Sequence, residues 1–255
     1  MATYKDIKGS NVQSIAGDPS NPVKGQIWYN STAKALKGEI FAAAAWAAGG
    51  NLGSGRYSRA TFGTQTSAVM AGGSPPSTTN ATEKYDGSSW TSSGNLNTSR
   101  RGLAGCGITT AGLAFGGTTA PPSSTSAATE EFDGSSWTNQ TGMPQGVRQQ
   151  FGAGVQTAAF ASGGMLDPPA APINNTYEYN GSSWTAGGAM GHGRTDGQAC
   201  GTLTAGLAVG GRDSNPPPSA TPAADTVEEY DGSSWTAGGA YPTAMNALGV
   251  AGSQT

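Results

Sequence analysis

The chain has 255 residues, of which 41 are Gly and 15 Pro, with 11% charged and 35% hydrophobic; this excludes a helix-rich protein and demands many turns. A net charge of -3, a pI near 5.1 and the lack of any Lys/Arg run leave no basic footprint for nucleic acid, and two cysteines, Cys106 and Cys200, make no disulfide framework. No apolar run approaches the roughly 20 residues needed to span a bilayer, so membrane insertion is not expected.

Residues 1 to 22 are polar and rich in turn formers, ending in Gly17-Asp-Pro-Ser-Asn-Pro22, and read as an arm or adaptor. The N-terminus has no charged-then-apolar secretion signal. Next, Ile27-Trp28-Tyr29 and Ala35-Leu36-Lys37 flank a turn at Asn30-Ser31-Thr32, which predicts a hairpin. Asn30-Ser31-Thr32 and Asn80-Ala81-Thr82 match the glycosylation sequon, and without a secretion signal both are read as turn chemistry.

From Trp46 the chain repeats. Trp46, Trp90, Trp137, Trp184 and Trp235 are separated by 44, 47, 47 and 51 residues. The last four close the motif Asp-Gly-Ser-Ser-Trp, at Asp86, Asp133 and Asp231 and with Asn180 as the variant, each preceded by an aromatic residue: Tyr85, Phe132, Tyr179 and Tyr230. Asp-Gly or Asn-Gly between β-forming residues is a strong hairpin signal, because Gly takes positive φ freely and Asp or Asn tolerates it. Polar, Gly-rich text is otherwise a candidate for disorder, and this fixed interval of aromatics argues against it.

Double glycines keep step with the tryptophans: Gly72-Gly73, Gly116-Gly117, Gly163-Gly164 and Gly210-Gly211 each close a short apolar run that reads as a buried strand. Upstream of each run stand Arg59, Arg101, Arg148 and Arg194, followed by a small-residue segment that reads as another strand. One repeat is therefore Arg, first strand, turn, second strand, Gly-Gly, a Pro/Ser/Thr-rich loop, a third strand ending in Tyr or Phe, the Asp-Gly turn and a fourth strand opening with Trp. Four antiparallel strands in about 45 residues match the period of propeller blades. A Gly73, Gly117, Gly164 or Gly211 would let backbones approach closely where strands converge.

An apolar run, Gly-Gly, then Tyr, then Trp, with Arg upstream, resembles the Kelch repeat over residues 46 to 236. The resemblance implies an all-β, Kelch-like β-propeller of four-stranded antiparallel blades, with four full repeats, a partial or composite fifth, and Trp and Tyr wedged between blades. The Ala-rich runs and the long loops at Pro75-Pro76, Pro121-Pro122, Pro168-Pro169 and Pro216-Pro-Pro218 depart from that pattern.

Met1-Ala-Thr-Tyr-Lys-Asp-Ile-Lys-Gly9, Asp18-Pro-Ser-Asn-Pro22, Gly25-Gln-Ile-Trp-Tyr-Asn-Ser-Thr32 and Leu36-Lys-Gly38 resemble the opening of tail-fibre and other virion structural proteins of marine bacteriophages. This second resemblance implies residues 1–40 as a virion-attachment segment contacting other virion proteins, and residues 41–255 as repeats facing outward toward a host surface glycan or protein. It also implies a homo-oligomer, localised to the virion. After Trp235 the chain repeats only as far as a first strand over Ala247 to Gly252, with Met245 where Arg stood. Two expectations follow: a composite fifth blade completed by Gln26 to Tyr29 and Leu36 to Trp46, or a longer protein of which this is the front part.

Chemistry-bearing residues are sparse. His192, the only histidine, precedes Asp196 and Cys200 at four-residue intervals, a metal spacing on a helix, but the segment reads as turn and strand. Glu83, Glu130, Glu178 and Glu228 recur before the hairpins, and Asp167, Asp213 and Asp225 fall in loops; paired carboxylates suit glycoside hydrolysis, whereas an acid repeated in every unit suits pairing with Arg59, Arg101, Arg148 or Arg194. The same arginines would alternatively ring an anionic ligand. Cys106 and Cys200 fall in first strands and read as core. No nucleophile has a His/Asp retinue and no phosphate loop occurs, and a single histidine cannot furnish the ligands of the Kelch-type copper-radical oxidases. The expectation is a non-enzymatic protein without cofactor or metal, a tail fibre or receptor-binding appendage. The alternatives are a cellular Kelch-type interaction adaptor and a carbohydrate-active propeller enzyme.

Overall fold

A computed structural model describes residues 12–20, 26–38, 47–74, 76–119, 124–167, 170–213, 224–245, 249–250 and 252. The chain divides into two compact units, Met1–Ala48 and Gly49–Thr255. The first contains the expected hairpin, Ile27–Asn30 antiparallel to Ala35–Gly38, with Gln13–Ile15 added parallel to the outer side of Ile27–Asn30. Asp18 ties this small sheet together by accepting from Trp28 Nε1 (3.0 Å), Asn30 Nδ2 (2.7 Å) and Lys37 Nζ (2.7 Å). Those bonds, led by the one from Lys37, hold its carboxyl down at about 2. Asn30 is buried and engaged with Asp18, so the first sequon asparagine serves the fold.

The second unit is all-β, without a helix among the described residues, and holds four four-stranded antiparallel sheets. Sheet I is Ala60–Thr64, Ser67–Ala71, Thr82–Tyr85 and Trp90–Ser93. Sheet II is Ala104–Ile108, Ala111–Phe115, Thr129–Phe132 and Trp137–Gln140. Sheet III is Phe151–Val155, Ala158–Ser162, Thr176–Tyr179 and Trp184–Ala186, and sheet IV is Gln198–Thr202, Ala205–Val209, Val227–Tyr230 and Trp235–Ala237. In each sheet the strands neighbour one another in chain order, and the first strands of successive sheets pack side by side.

The turn before each Trp spans four residues rather than two. Asp86 N–H donates to Ser89 O, while its carboxylate accepts from the N–H groups and hydroxyls of Ser88 and Ser89, and Gly87 takes φ 97°. Asp133, Asn180 and Asp231 repeat the arrangement. The aromatic before the turn and the Trp after it are cross-strand partners with centroids 4.7 to 5.1 Å apart: Tyr85–Trp90, Phe132–Trp137, Tyr179–Trp184 and Tyr230–Trp235. Such pairs add about 0.5–1.5 kcal/mol beyond their buried area.

The Trp of sheets II, III and IV also reaches the preceding sheet. Trp137 Nε1 donates to Thr82 Oγ1 (3.0 Å), Trp184 to Thr129 (2.9 Å) and Trp235 to Thr176 (2.8 Å). A phenylalanine of the preceding sheet meets the indole: Phe62 on Trp137, Phe115 on Trp184 and Phe160 on Trp235. These rings fill the hollows above Gly112, Gly152 and Gly206, where a β-carbon would fall 2.3, 2.6 and 2.6 Å from the ring atoms.

The Ser N–H and hydroxyl donors hold the exposed turn carboxylates low. Ser234 N–H is the main cause for Asp231, at about 2, and Asp86 and Asp133 are displaced in the same direction. Since the folded value lies below the unfolded one of about 3.9, the turns contribute their stability above that pH and lose it as pH falls toward 2. An NMR carboxyl titration is expected to give Asp231 a midpoint near 2; a midpoint near the unperturbed value would show the turn to be open in solution.

Candidate functional site

The second unit follows one numerical frame set by the tryptophans. Ten residues after each of Trp46, Trp90, Trp137, Trp184 and Trp235 come Arg56, Arg100, Val147, Arg194 and Met245. The carbonyls of Arg100, Val147, Arg194 and Met245 accept from Gly73, Gly117, Gly164 and Gly211 N–H respectively, at 2.7 to 2.9 Å. Both glycines of each pair have positive φ, from 60° to 103°, and a β-carbon on Gly72, Gly116 or Gly163 would fall 2.6 to 2.7 Å from the carbonyl of Arg100, Val147 or Arg194, in the segment that precedes the next sheet's first strand, its lead-in. This is a close approach that only glycine permits.

Arginine at this place is buried and paired within its own sheet. Arg100 donates to Gly116 O, Ala128 O and Glu130 (2.8 Å), and both charged side chains are fully buried. Arg194 repeats this with Gly210 O, Thr226 O and Glu228 (2.5 Å), and Arg56 with Ala81 O and Glu83. Burial pulls the Arg100 guanidinium down from its usual value, and Glu130 opposes the pull. Each glutamate takes a second donor from the backbone, at Gly53, Asn97 (2.6 Å) and Gly191 (2.7 Å) N–H.

Of the four arginines expected in this role, only Arg194 holds it. The buried places upstream belong to Arg56 and Arg100, while Arg59, Arg101 and Arg148 stand one to three residues further on and face elsewhere. Glu178 likewise leaves the series: its register mates are Lys84, Glu131 and Glu229, and it accepts from Tyr230 Oη, as Glu131 accepts from Tyr179 (3.0 Å). Burial, followed by these carboxylates, raises both phenols above their usual range. Phe132 has no hydroxyl, and sheet I carries Lys84 at the corresponding place, bonded to Gly134 O (2.7 Å).

Eleven residues after Trp46, Trp90, Trp137 and Trp184 come Tyr57, Arg101, Arg148 and Thr195, and next Ser58, Gly102, Gln149 and Asp196, all four of the latter with φ between 52° and 63°. Gly102 N–H donates to Ser58 O (2.7 Å), Gln149 N–H to Gly102 O (2.7 Å) and Asp196 N–H to Gln149 O (3.3 Å), a hydrogen-bonded ladder running from sheet to sheet. Two adjoining cavities share Ser58, Gly102 and Gln149. The larger, about 360 Å³, takes in Arg59, Thr61, Gln150 and Gln198, and the smaller, about 240 Å³, Arg101, Arg148 and Asp167. Together they form a polar basin at the lead-ins. Arg148 is held by Asp167 and Gln149 Oε1, both at 2.5 Å, and Asp196 by Gln149 Nε2 (2.6 Å) and Arg212 (3.5 Å).

Neither reactive-looking group gains activating neighbours. Cys106 is wholly buried, and burial pushes its thiol up to about 12. His192 is exposed in a bend and Cys200 lies within a strand, so the four-residue spacing does not bring them to one face. Among the described residues no group of three or more His, Cys, Asp or Glu is placed to hold a metal. Within the long Pro-rich loops expected to carry recognition, residues 75, 120–123, 168–169 and 214–223 lie outside the described residues, as do 1–11, Trp46, 246–248 and 251. Comparison with known protein families finds no matching family model, and comparison with curated proteins finds no similar sequence.

Sequence reasoning missed the basin and the true arginine register. The signal for the register was present, since Arg56, Arg100 and Arg194 all stand ten residues past a Trp, whereas Arg59, Arg101 and Arg148 do not.

In sheet III the frame places Val147 and Tyr177 where the other sheets have Arg and Glu, and both are buried in one apolar cluster. Val147→Arg is therefore expected to destabilise by about 3 kcal/mol or more, as an unpaired buried charge. Adding Tyr177→Glu should recover a substantial part. Denaturant titration of both single variants and the double variant checks this; a double-variant loss equal to the sum of the two single losses would show the pair to be uncoupled.

Proposed function

We propose that the four sheets are blades of a Kelch-like β-propeller and that the protein is a non-enzymatic virion component of a bacteriophage, a tail fibre or receptor-binding appendage. In this reading residues 1–40 attach the chain to other virion proteins, the assembly is a homo-oligomer, and the repeats present the basin to a host surface. The observation that carries it is one backbone geometry repeated at four lead-ins with unlike side chains, Ser58, Gly102, Gln149 and Asp196, around a polar cavity. A rigid frame with variable side chains at its ends is the arrangement recognition proteins use. The non-enzymatic part is supported by Glu83, Glu130 and Glu228 being committed to buried arginines and by a core thiol with no activating neighbour. The virion part rests on the N-terminal resemblance.

Two measurements test this. Mass spectrometry of purified phage particles is expected to find the chain, and the soluble full-length protein is expected to slow adsorption of those particles to their host. Absence from the particles overturns the virion assignment, and undiminished adsorption at saturating protein overturns the receptor-binding one.

A further inference from the structure

The chain has seven arginines. Three are buried against glutamate, and the other four, Arg59, Arg101, Arg148 and Arg212, line the basin or contact a residue that does. Among the described residues two carboxylates pair with them there, Asp167 with Arg148 and Asp196 with Arg212. Arg59 and Arg101 make no ion pair among the described residues. The basin thus carries an excess of positive charge on a chain whose net charge is -3.

Its remaining lining is neutral and hydrogen-bonding. Gln150 is 94% buried at the cavity wall; its Nε2 donates to Phe115 O (3.0 Å), and its Oε1 has no partner. A buried amide oxygen left without a donor costs about 1–3 kcal/mol, and this one is closed to solvent behind the cavity wall. Thr61, Gln149 and Gln198 offer further hydroxyl and amide groups. Tyr57, 58% exposed, occupies the repeat place that Arg101 and Arg148 fill in sheets II and III and directly precedes Ser58 of the basin wall.

We propose that the basin binds an anionic saccharide, with carboxylate or sulfate groups paired to Arg59 and Arg101, sugar hydroxyls on Thr61, Gln149 and Gln198, and a sugar face on Tyr57. The two acid groups share the chemistry that arginine reads, since both present oxygens to its planar donors. This supplies a ligand class for the recognition surface proposed above and rests on that reading for its biological meaning; the binding itself is a property of the isolated chain.

Calorimetry on the full-length protein with oligogalacturonate, dextran sulfate and neutral dextran tests it. At least one charged saccharide should bind, dextran about tenfold or more weakly, and affinity should fall as salt rises. Comparison of the two charged sugars tells carboxylate from sulfate. Arg101→Gln and Arg59→Gln should each weaken binding severalfold, while Lys34→Gln, an equal charge change on an exposed turn of the N-terminal unit, should not. The proposal is overturned if neither charged sugar binds, if dextran binds as well, or if the arginine variants behave like Lys34→Gln. Saccharide binding by a chain absent from phage particles would refute the virion assignment and leave this inference standing.

Discussion

At each Gly-Gly pair the backbone of one sheet donates a hydrogen bond to the lead-in of the next, and the rest of the second unit is arranged to permit that approach. A twisted four-stranded sheet of small residues cannot bury both faces alone, so it needs neighbours at backbone distance. Glycine at the first position removes the β-carbon that would strike the next lead-in carbonyl, and glycine at the second removes one that would strike a carbonyl of its own lead-in. Once the backbones are that close, small residues such as Gly112, Gly152 and Gly206 leave hollows of aromatic size, which Phe62, Phe115 and Phe160 fill. The tryptophans then close the far end through the threonine hydroxyls.

The buried ion pairs show that the repeats are adjusted as units. Where the lead-in has arginine, the third strand has glutamate and the approaching chain offers a backbone N–H, from Gly53, Asn97 or Gly191. In sheet III all three change together. Val147 replaces the arginine, Tyr177 the glutamate, and Pro144, which has no N–H, stands seven residues after Trp137, as Gly53, Asn97 and Gly191 stand after Trp46, Trp90 and Trp184. A charge without its partner in this interior would cost several kcal/mol, so intermediate combinations are the unfavourable ones.

Much of this was legible because the frame is written in rare residues. Tryptophan intervals, Asp-Gly turns and double glycines located all four sheets and the turn before each Trp, and the small residues between them marked strands. Arginine was read less well because Arg100 and Arg101 are adjacent and Arg56 and Arg59 close, so proximity chose the wrong member of each pair; counting ten from each Trp separates them. Glu178 misled in the same manner, lying one place beyond Tyr177 on the opposite face of its strand. The basin was not legible at all. Its walls come from lead-ins about 45 residues apart, and no local pattern says that Ser58, Gln149 and Asp196 share one left-handed geometry.

That shared geometry separates the places whose side chains repeat from those whose side chains vary. At the places set by packing, side chains repeat: Trp at the start of the fourth strand, Thr82, Thr129 and Thr176 as its acceptors, Asp or Asn at the turn. Asn180 does the turn's work without charge, so the other turn carboxylates are hydrogen-bond acceptors rather than ion sites. At the left-handed lead-in position the backbone would be best served by glycine, and sheet II has Gly102. Serine, glutamine and aspartate stand there in the other three sheets, although a non-glycine residue in this conformation costs about 1 kcal/mol or more. Gln149 and Asp196 hydrogen-bond to each other beside the cavity, and both line it with Ser58. Residues that differ where the backbone is the same, and that carry strain glycine would relieve, are accounted for by what their side chains contribute to the basin.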